Sequence, residues 1–285
     1  MEIIDTHAYQ GTNEALRIDY GLECLVRVRQ QFSGHNLRFL AMSASEDANH
    51  SMADLVKGNP DFFVGAVLQV VPRKDLASEY GLPFRYVPPE EISDLLMREE
   101  IKGLKVITST VKTPVDSPLL EPYIELAIQK GIPILFHCCS DGMEKYGEEF
   151  TSYNQKLGLV QRHPDLKVVL VHFGGLNLGY VNESISLAEQ FPNVYLNTSG
   201  MSGEVNRWDT SGGSPRRIPS YNDPEMRMIW ERELRRAMQN PVVRRKIVFG
   251  TDYPELKFDL HPLDKLSPED QEQIMQNART LFQLG

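Results

Sequence analysis

The sequence predicts an α/β protein folded as a closed (β/α)8 TIM barrel, and three observations predict it. Short apolar, β-branched runs alternate with longer amphipathic runs, the pattern of repeated strand and helix units on a parallel sheet. Eight such units can be drawn within the 285 residues, an ordinary length for one barrel. No glycine-rich dinucleotide turn follows the first strand, which disfavours an open doubly wound sheet.

The predicted strands, in order, are Glu2 to Asp5, Leu37 to Met42, Phe63 to Leu68, Gly103 to Ile107, Pro133 to Phe136, Lys167 to Val171, Val194 to Asn197 and Lys246 to Phe249. Several are apolar on both faces, as strands covered by helices must be. Between them, helix signals recur. Leu119 to Lys130 follows Asp116-Ser117-Pro118 and stops at Gly131, a residue suited to a left-handed exit, while Ser267-Pro268 opens the last helix. Two stretches break the rhythm. Val71 to Glu91 carries four prolines, and Thr198 to Pro224 is rich in Gly, Ser and Pro yet contains Arg207, Trp208, Arg216, Arg217 and Tyr221. Long loops in compact domains are often lids or binding loops, and solvated excursions otherwise. The whole chain, residues 1 to 285, is expected to form one domain.

Composition sets the class. With 41% apolar and 24% charged residues, the chain can bury a large core. Thirty basic against 39 acidic residues give a net charge of −9, which disfavours nucleic acid or an anionic membrane as partner. Three cysteines, two of them adjacent at Cys138 and Cys139, do not make a disulfide framework, and no signal-like or membrane-spanning run is visible. A reducing cytoplasm is the expected location, with a small molecule as substrate and a homo-oligomer compatible with the sequence.

Chemistry gathers at predicted strand ends. The first strand runs into Asp5-Thr6-His7-Ala8-Tyr9, one imidazole short of a His-X-His pair that would aim two ligands into the barrel mouth. His137 follows Ile134-Leu135-Phe136, His172 follows Val169-Leu170-Val171, and Asp252 follows Ile247-Val248-Phe249-Gly250-Thr251. In a parallel barrel all strand ends open on one face, so these four residues would converge there. A single histidine at a strand end is ordinarily a packing residue; four polar residues in matched places point to a site.

Taken in order, Ile-Asp-Thr-His-Ala-Tyr, Lys-Gly-Leu-Lys-Val at 102 to 106, Phe-His137, Val-His172-Phe-Gly-Gly, Phe-Gly-Thr-Asp252-Tyr-Pro and the closing Asn277-Ala-Arg-Thr-Leu-Phe282 resemble the amidohydrolase superfamily. Within it they are similar to the amidohydrolase-related branch that includes aminocarboxymuconate semialdehyde decarboxylase. The resemblance spans almost the whole chain. It implies one divalent ion, zinc or alternatively manganese, held by His7, His137 and Asp252, with Asp252 also moving protons and His172 polarising a substrate oxygen. Such an ion can lower the pKa of bound water to about 7 or polarise a carbonyl.

The departure from that pattern is Tyr9. Either the phenol fills the second ligand's place without binding metal, or Asp5 and His7 act as a carboxylate and histidine pair, or the site works without metal or not at all. Lys105 reads as a barrel-lining or substrate-facing residue rather than a bridge between two metals. Cys138 and Cys139 read as packing residues, because a nucleophilic thiol needs a base or an electropositive setting. Tyr9, Arg207, Trp208 and Arg217 are the expected substrate-binding residues, since guanidinium groups suit carboxylates and aromatic rings cover planar molecules.

The leading functional reading is a metal-dependent hydrolase acting through metal-activated water on a small molecule, acidic or cyclic. A nonoxidative decarboxylase or related lyase using the same residues is the alternative. A metal-independent lactonase or a non-catalytic binding barrel is the third reading, motivated by Tyr9.

Overall fold

The computed structural model describes residues 1–13, 18–74, 84–138, 149–174, 178–200, 224–253 and 258–285. Eight parallel strands form the expected barrel: β1 (Glu2–Asn13), β3 (Asn36–Ser43), β4 (Phe63–Gln69), β5 (Ile101–Val106), β6 (Ile134–His137), β7 (Val168–Val171), β8 (Val194–Asn197) and β9 (Ile247–Val248). A ninth strand, β2 (Ile18–Tyr20), pairs antiparallel with the extended tail of β1 through Gly11 and Tyr20. Sequence periodicity gave no sign of it, because three residues are too few to show alternation.

The barrel closes where β1 meets the segment after β9. Thr6 N donates to the Phe249 carbonyl (2.9 Å), Asp252 N to the His7 carbonyl (3.0 Å) and Tyr9 N to the Tyr253 carbonyl (2.8 Å). The seam therefore runs through the very residues expected to do chemistry. Just before it, β1 slips against β3: Asp5 pairs with Phe39 but Ala8 with Ala41, which places one extra residue on β1 at Thr6-His7. Such a bulge re-aims side chains beside a barrel rim. It breaks the simple alternation by which Asp5, His7 and Tyr9 would share one direction.

Helices α1 (Leu22–Gln31), α2 (Asn49–Gly58), α3 (Pro89–Leu95), α4 (Glu121–Lys130), α5 (Tyr153–Arg162), α6 (Leu178–Gln190), α7 (Pro224–Gln239), α8 (His261–Asp264) and α9 (Pro268–Phe282) follow the strands. Their ends obey local rules. Gly131 ends α4 at φ 71°, the left-handed conformation expected of it, and Ser267 Oγ accepts from Asp270 N at the start of α9. Ser152 and Gln155 form a reciprocal capping box on α5. The predicted helix from Leu119 begins as a single 3₁₀ turn, Pro118–Leu120, before becoming α-helical.

The strands are buried on both faces, with Ile4, Phe39, Val67, Leu104, Phe136, Leu170, Leu196 and Phe249 at the centre of the core. Of the first irregular stretch, Val87 N donates to the Val71 carbonyl and Tyr123 Oη donates to that of Val87, tying its far end to α4. No helix among the described residues is long and apolar enough to cross a membrane.

Candidate active site

Four expected residues meet at the strand ends. His7 is wholly buried on the bulge of β1. Its Nε2 lies 3.0 Å from Asp252 Oδ1, and its ring is 5.5 Å, centroid to centroid, from that of His172. His172 Nε2 is 2.9 Å from His137 Nδ1 and the two rings pack edge to face at 4.5 Å. Tyr9 packs edge to face on His7 at 5.4 Å. Arg207, Trp208 and Arg217, the loop residues expected to hold substrate, lie outside the described residues, as does Cys139.

Two site residues have left-handed backbone, Asp252 at φ 66° and His172 at φ 62°, the latter followed by Phe173 at φ 49°. A non-glycine residue there costs of order 1 kcal/mol or more and persists only where its surroundings enforce it. His172 directly follows β7, and Asp252 lies four residues past β9.

Sequence reasoning missed the residues that lock these side chains. Ser199 Oγ bridges His7 Nδ1 (3.2 Å) and His172 Nδ1 (3.1 Å), and the Ser199 carbonyl lies 3.3 Å from the same His172 nitrogen. Asn197 Oδ1 accepts from Ser199 N (2.8 Å), while its Nδ2 donates to Thr6 Oγ1 (2.8 Å), which donates to the Phe249 carbonyl. Asn197-Thr198-Ser199 directly follows an apolar strand, the same signal that singled out the histidines. Gly250 is required beside this clamp: a Cβ there would sit 2.7 Å from the Asn197 amide and 2.8 Å from His7 Cβ.

Asp5 is part of the clamp as well. Oδ1 accepts from His7 N (2.9 Å) and Thr251 N (3.1 Å), and Oδ2 accepts from Thr251 Oγ1 (2.5 Å). Its oxygens are committed to joining β1 to the Thr251 turn, so it does not face the site as a partner ligand to His7. Burial pushes its carboxyl up to about 6, against those hydrogen bonds, which lower it.

Lys105 is the other departure. It is completely buried at the end of β5, in register with Gln69 on β4 and Leu135 on β6. Its Nζ lies 2.6 Å from His7 Nε2, donates to the Tyr9 hydroxyl, and sits 4.5 Å from the centroid of the Tyr9 ring. Burial first, and then the Lys105 charge, hold the His7 imidazole down at about 3, so His7 is neutral. A neutral His7 that accepts the ammonium at Nε2 carries its proton on Nδ1 and offers it to Ser199 Oγ. Burial alone would raise the Asp252 carboxyl. The His172 imidazole and the Lys105 ammonium outweigh it and hold that carboxyl well below the usual range.

The three-ligand ion site that the family resemblance implies is not drawn together as a donor set among the described residues. Among the described residues no three His, Cys, Asp or Glu side chains gather as an ion-binding group. His7 and Asp252 approach each other, His137 is engaged with His172, and an ammonium already lies against the His7 lone pair. The Cys138 thiol is buried and pushed up to about 11 by that burial, which suits packing rather than nucleophilic attack.

Comparison with known proteins agrees with this architecture. The structure resembles 5-carboxyvanillate decarboxylase from Sphingomonas paucimobilis (TM-score 0.62, 15% identity, covering 100% of this chain and 99% of that one). It likewise resembles a probable 2-pyrone-4,6-dicarboxylic acid hydrolase from Acinetobacter baumannii (0.64, 14%, 100% of both chains). A third similar structure is the 5-carboxyvanillate decarboxylase of Novosphingobium aromaticivorans, complexed with manganese and 4-hydroxy-3-methoxy-5-nitrobenzoic acid (0.64, 15%, 99% of this chain and 96% of that one). At these identities the likeness shows a common fold. No curated protein sequence matches the chain. The model of the amidohydrolase family, however, matches residues 26–284, and on that match the chain belongs to the amidohydrolase family.

Proposed function

We propose that this barrel is a hydrolase that adds water to the carbonyl of a small acidic molecule, of which a cyclic ester is the simplest case. The observation that carries this reading is Asp252 Oδ1. It is a buried carboxylate oxygen with no formed hydrogen bond: His7 Nε2, 3.0 Å away, faces Lys105 Nζ and so has no proton to give it. A buried acceptor without a donor is costly. A water or substrate hydroxyl seated there would supply the missing donor.

In the proposed reaction Asp252 accepts a proton from water as the water oxygen bonds to the carbonyl carbon. The tetrahedral intermediate then expels the ester oxygen, which takes that proton back from Asp252. His172, whose ring nitrogens meet His137 and Ser199, is given the polarising role in this proposal: release of Nε2 from His137 would let it donate to the developing oxyanion. Tyr9 walls the same space, and Arg207, Trp208 and Arg217 belong to this proposal as the loop groups that would bind the substrate's carboxylate and plane. A decarboxylase built on the same residues is the second reading, in which Asp252 would take a proton from a substrate hydroxyl and return it to the carbon that loses carbon dioxide, as in the chemistry named for two of the similar structures.

The test is turnover in 18O-labelled water with 2-pyrone-4,6-dicarboxylate and 5-carboxyvanillate, the compounds named for its structural neighbours. Label in an acid product supports hydrolysis. Carbon dioxide release without label refutes it in favour of the lyase. Asp252→Asn should lower kcat by about 10²- to 10⁴-fold, the range for a general base, with an unchanged circular dichroism spectrum.

A further inference from the structure

We propose that the Lys105 ammonium supplies the positive charge that a divalent ion would otherwise bring to this site, so that the site is complete without metal, and that this ammonium is the electrophile for the substrate's carbonyl oxygen. The inference rests on the hydrolytic reading only for the second half; the charge balance stands independently of the reaction.

Position is the first argument. An ion bound to His7 would sit about 2.0–2.1 Å from Nε2. Lys105 Nζ is already 2.6 Å from that atom and also bonds the Tyr9 hydroxyl, the group in the place of the second ligand. One imidazole lone pair does not serve an ammonium and a metal together, and two cations so close in a buried site repel strongly. Lys105 is fully buried, so its charge has no route to solvent while its neighbours stay as they are.

Chemistry of the neighbours is the second argument. Tyr9 is the one break in the ligand pattern, and it is the residue that Lys105 touches through both hydroxyl and ring face. A phenol accepts a hydrogen bond from an ammonium and presents a π face to it. Tyr9 and Lys105 therefore read as two halves of one change. The surrounding carboxylates are consistent with a single buried cation: Asp5 is held by three hydrogen bonds from the Thr251 turn and the His7 amide, and Asp252, whose Oδ1 lies 3.0 Å from the same His7 nitrogen that Lys105 faces, is the one left for Lys105 to offset.

In turnover, the Tyr9 hydroxyl gives up its bond to Nζ, and the N–H so released bonds the carbonyl oxygen and stabilises the oxyanion as water attacks, the ammonium keeping all its protons while Asp252 carries the one proton that moves.

The experiment is elemental analysis of the purified protein together with thermal denaturation in EDTA and in excess zinc or manganese, for the wild type, Tyr9→His, Lys105→Met and the double variant. Expected results are substoichiometric metal in the wild type, a Tm moved by neither chelator nor metal, and no metal uptake by Tyr9→His while Lys105 remains. The double variant, freed of the ammonium and given an imidazole, should gain a zinc-dependent rise in Tm. If variants lacking Lys105 do not fold, the wild-type and Tyr9→His measurements decide alone. One equivalent of metal in the wild type whose removal lowers Tm overturns the proposal, as does a carbamate on Lys105 detected by 13C-bicarbonate labelling. Failure to hydrolyse any ester, with these metal results intact, would sink the functional reading and leave the charge balance standing. Hydrolysis abolished by EDTA together with a fall in Tm would do the reverse.

Discussion

Asp5→Asn isolates the energetic cost of the clamp that joins β1 to the Thr251 turn. The buried carboxyl accepts three hydrogen bonds, from His7 N, Thr251 N and Thr251 Oγ1, and burial nevertheless pushes it from 3.8 up to about 6. Folding thus favours the protonated form. That contribution is complete below the unfolded value, near pH 4, and is lost as pH rises through about 6. The shift corresponds to about 3 kcal/mol at neutral pH. Asparagine can keep both backbone bonds through its carbonyl and donate to Thr251 Oγ1 through its amide, and it carries no charge at any pH. The variant should therefore gain on the wild type by about 2 to 3 kcal/mol between pH 4 and pH 8, or roughly 5 °C in Tm at the higher pH. Any constant effect of the substitution cancels in that comparison, and so does the opposite titration of Asp252, common to both proteins. Urea unfolding of both across this range is the assay. A stability difference that does not change with pH would show that the three hydrogen bonds fully offset burial, refuting the reasoning.

Further outcomes follow from the same clamp. Gly250→Ala should drive a Cβ into the Asn197 amide and His7 Cβ, costing about 1 to 3 kcal/mol by overpacking and lowering turnover by shifting His7; equal Tm and activity would show that the turn yields freely. Ser199→Ala removes the hydroxyl that bridges His7 and His172, so kcat should fall more than KM changes, with a loss of about 1 kcal/mol in stability; a change confined to KM would mean that Ser199 acts on substrate binding instead.

Much of the fold was legible because its signals are local. Alternation of apolar runs located all eight barrel strands, and predicted ends differ from observed ones by a few residues, except that β1 continues to Asn13 through the site. Parallel topology then brought His7, His137, His172 and Asp252 to one face with no knowledge of contacts. Side-chain direction was not legible. The bulge at Thr6-His7 arises from how β1 registers against β3, and it separates Asp5, which turns to the Thr251 turn, from His7 and Tyr9, which turn to Lys105.

By itself, the sequence determined the barrel, its strand ends and the chemical types gathered there, since these depend on periodicity and strand order. Only the tertiary structure decided what each group does with its neighbours. Closure of β1 onto the segment after β9 commits Asp5 to the Thr251 turn, and the approach of β5 sets an ammonium against His7 and Tyr9. Hydrogen bonds and burial between residues so far apart in the chain leave no trace in local pattern, because they exist only once the barrel has closed.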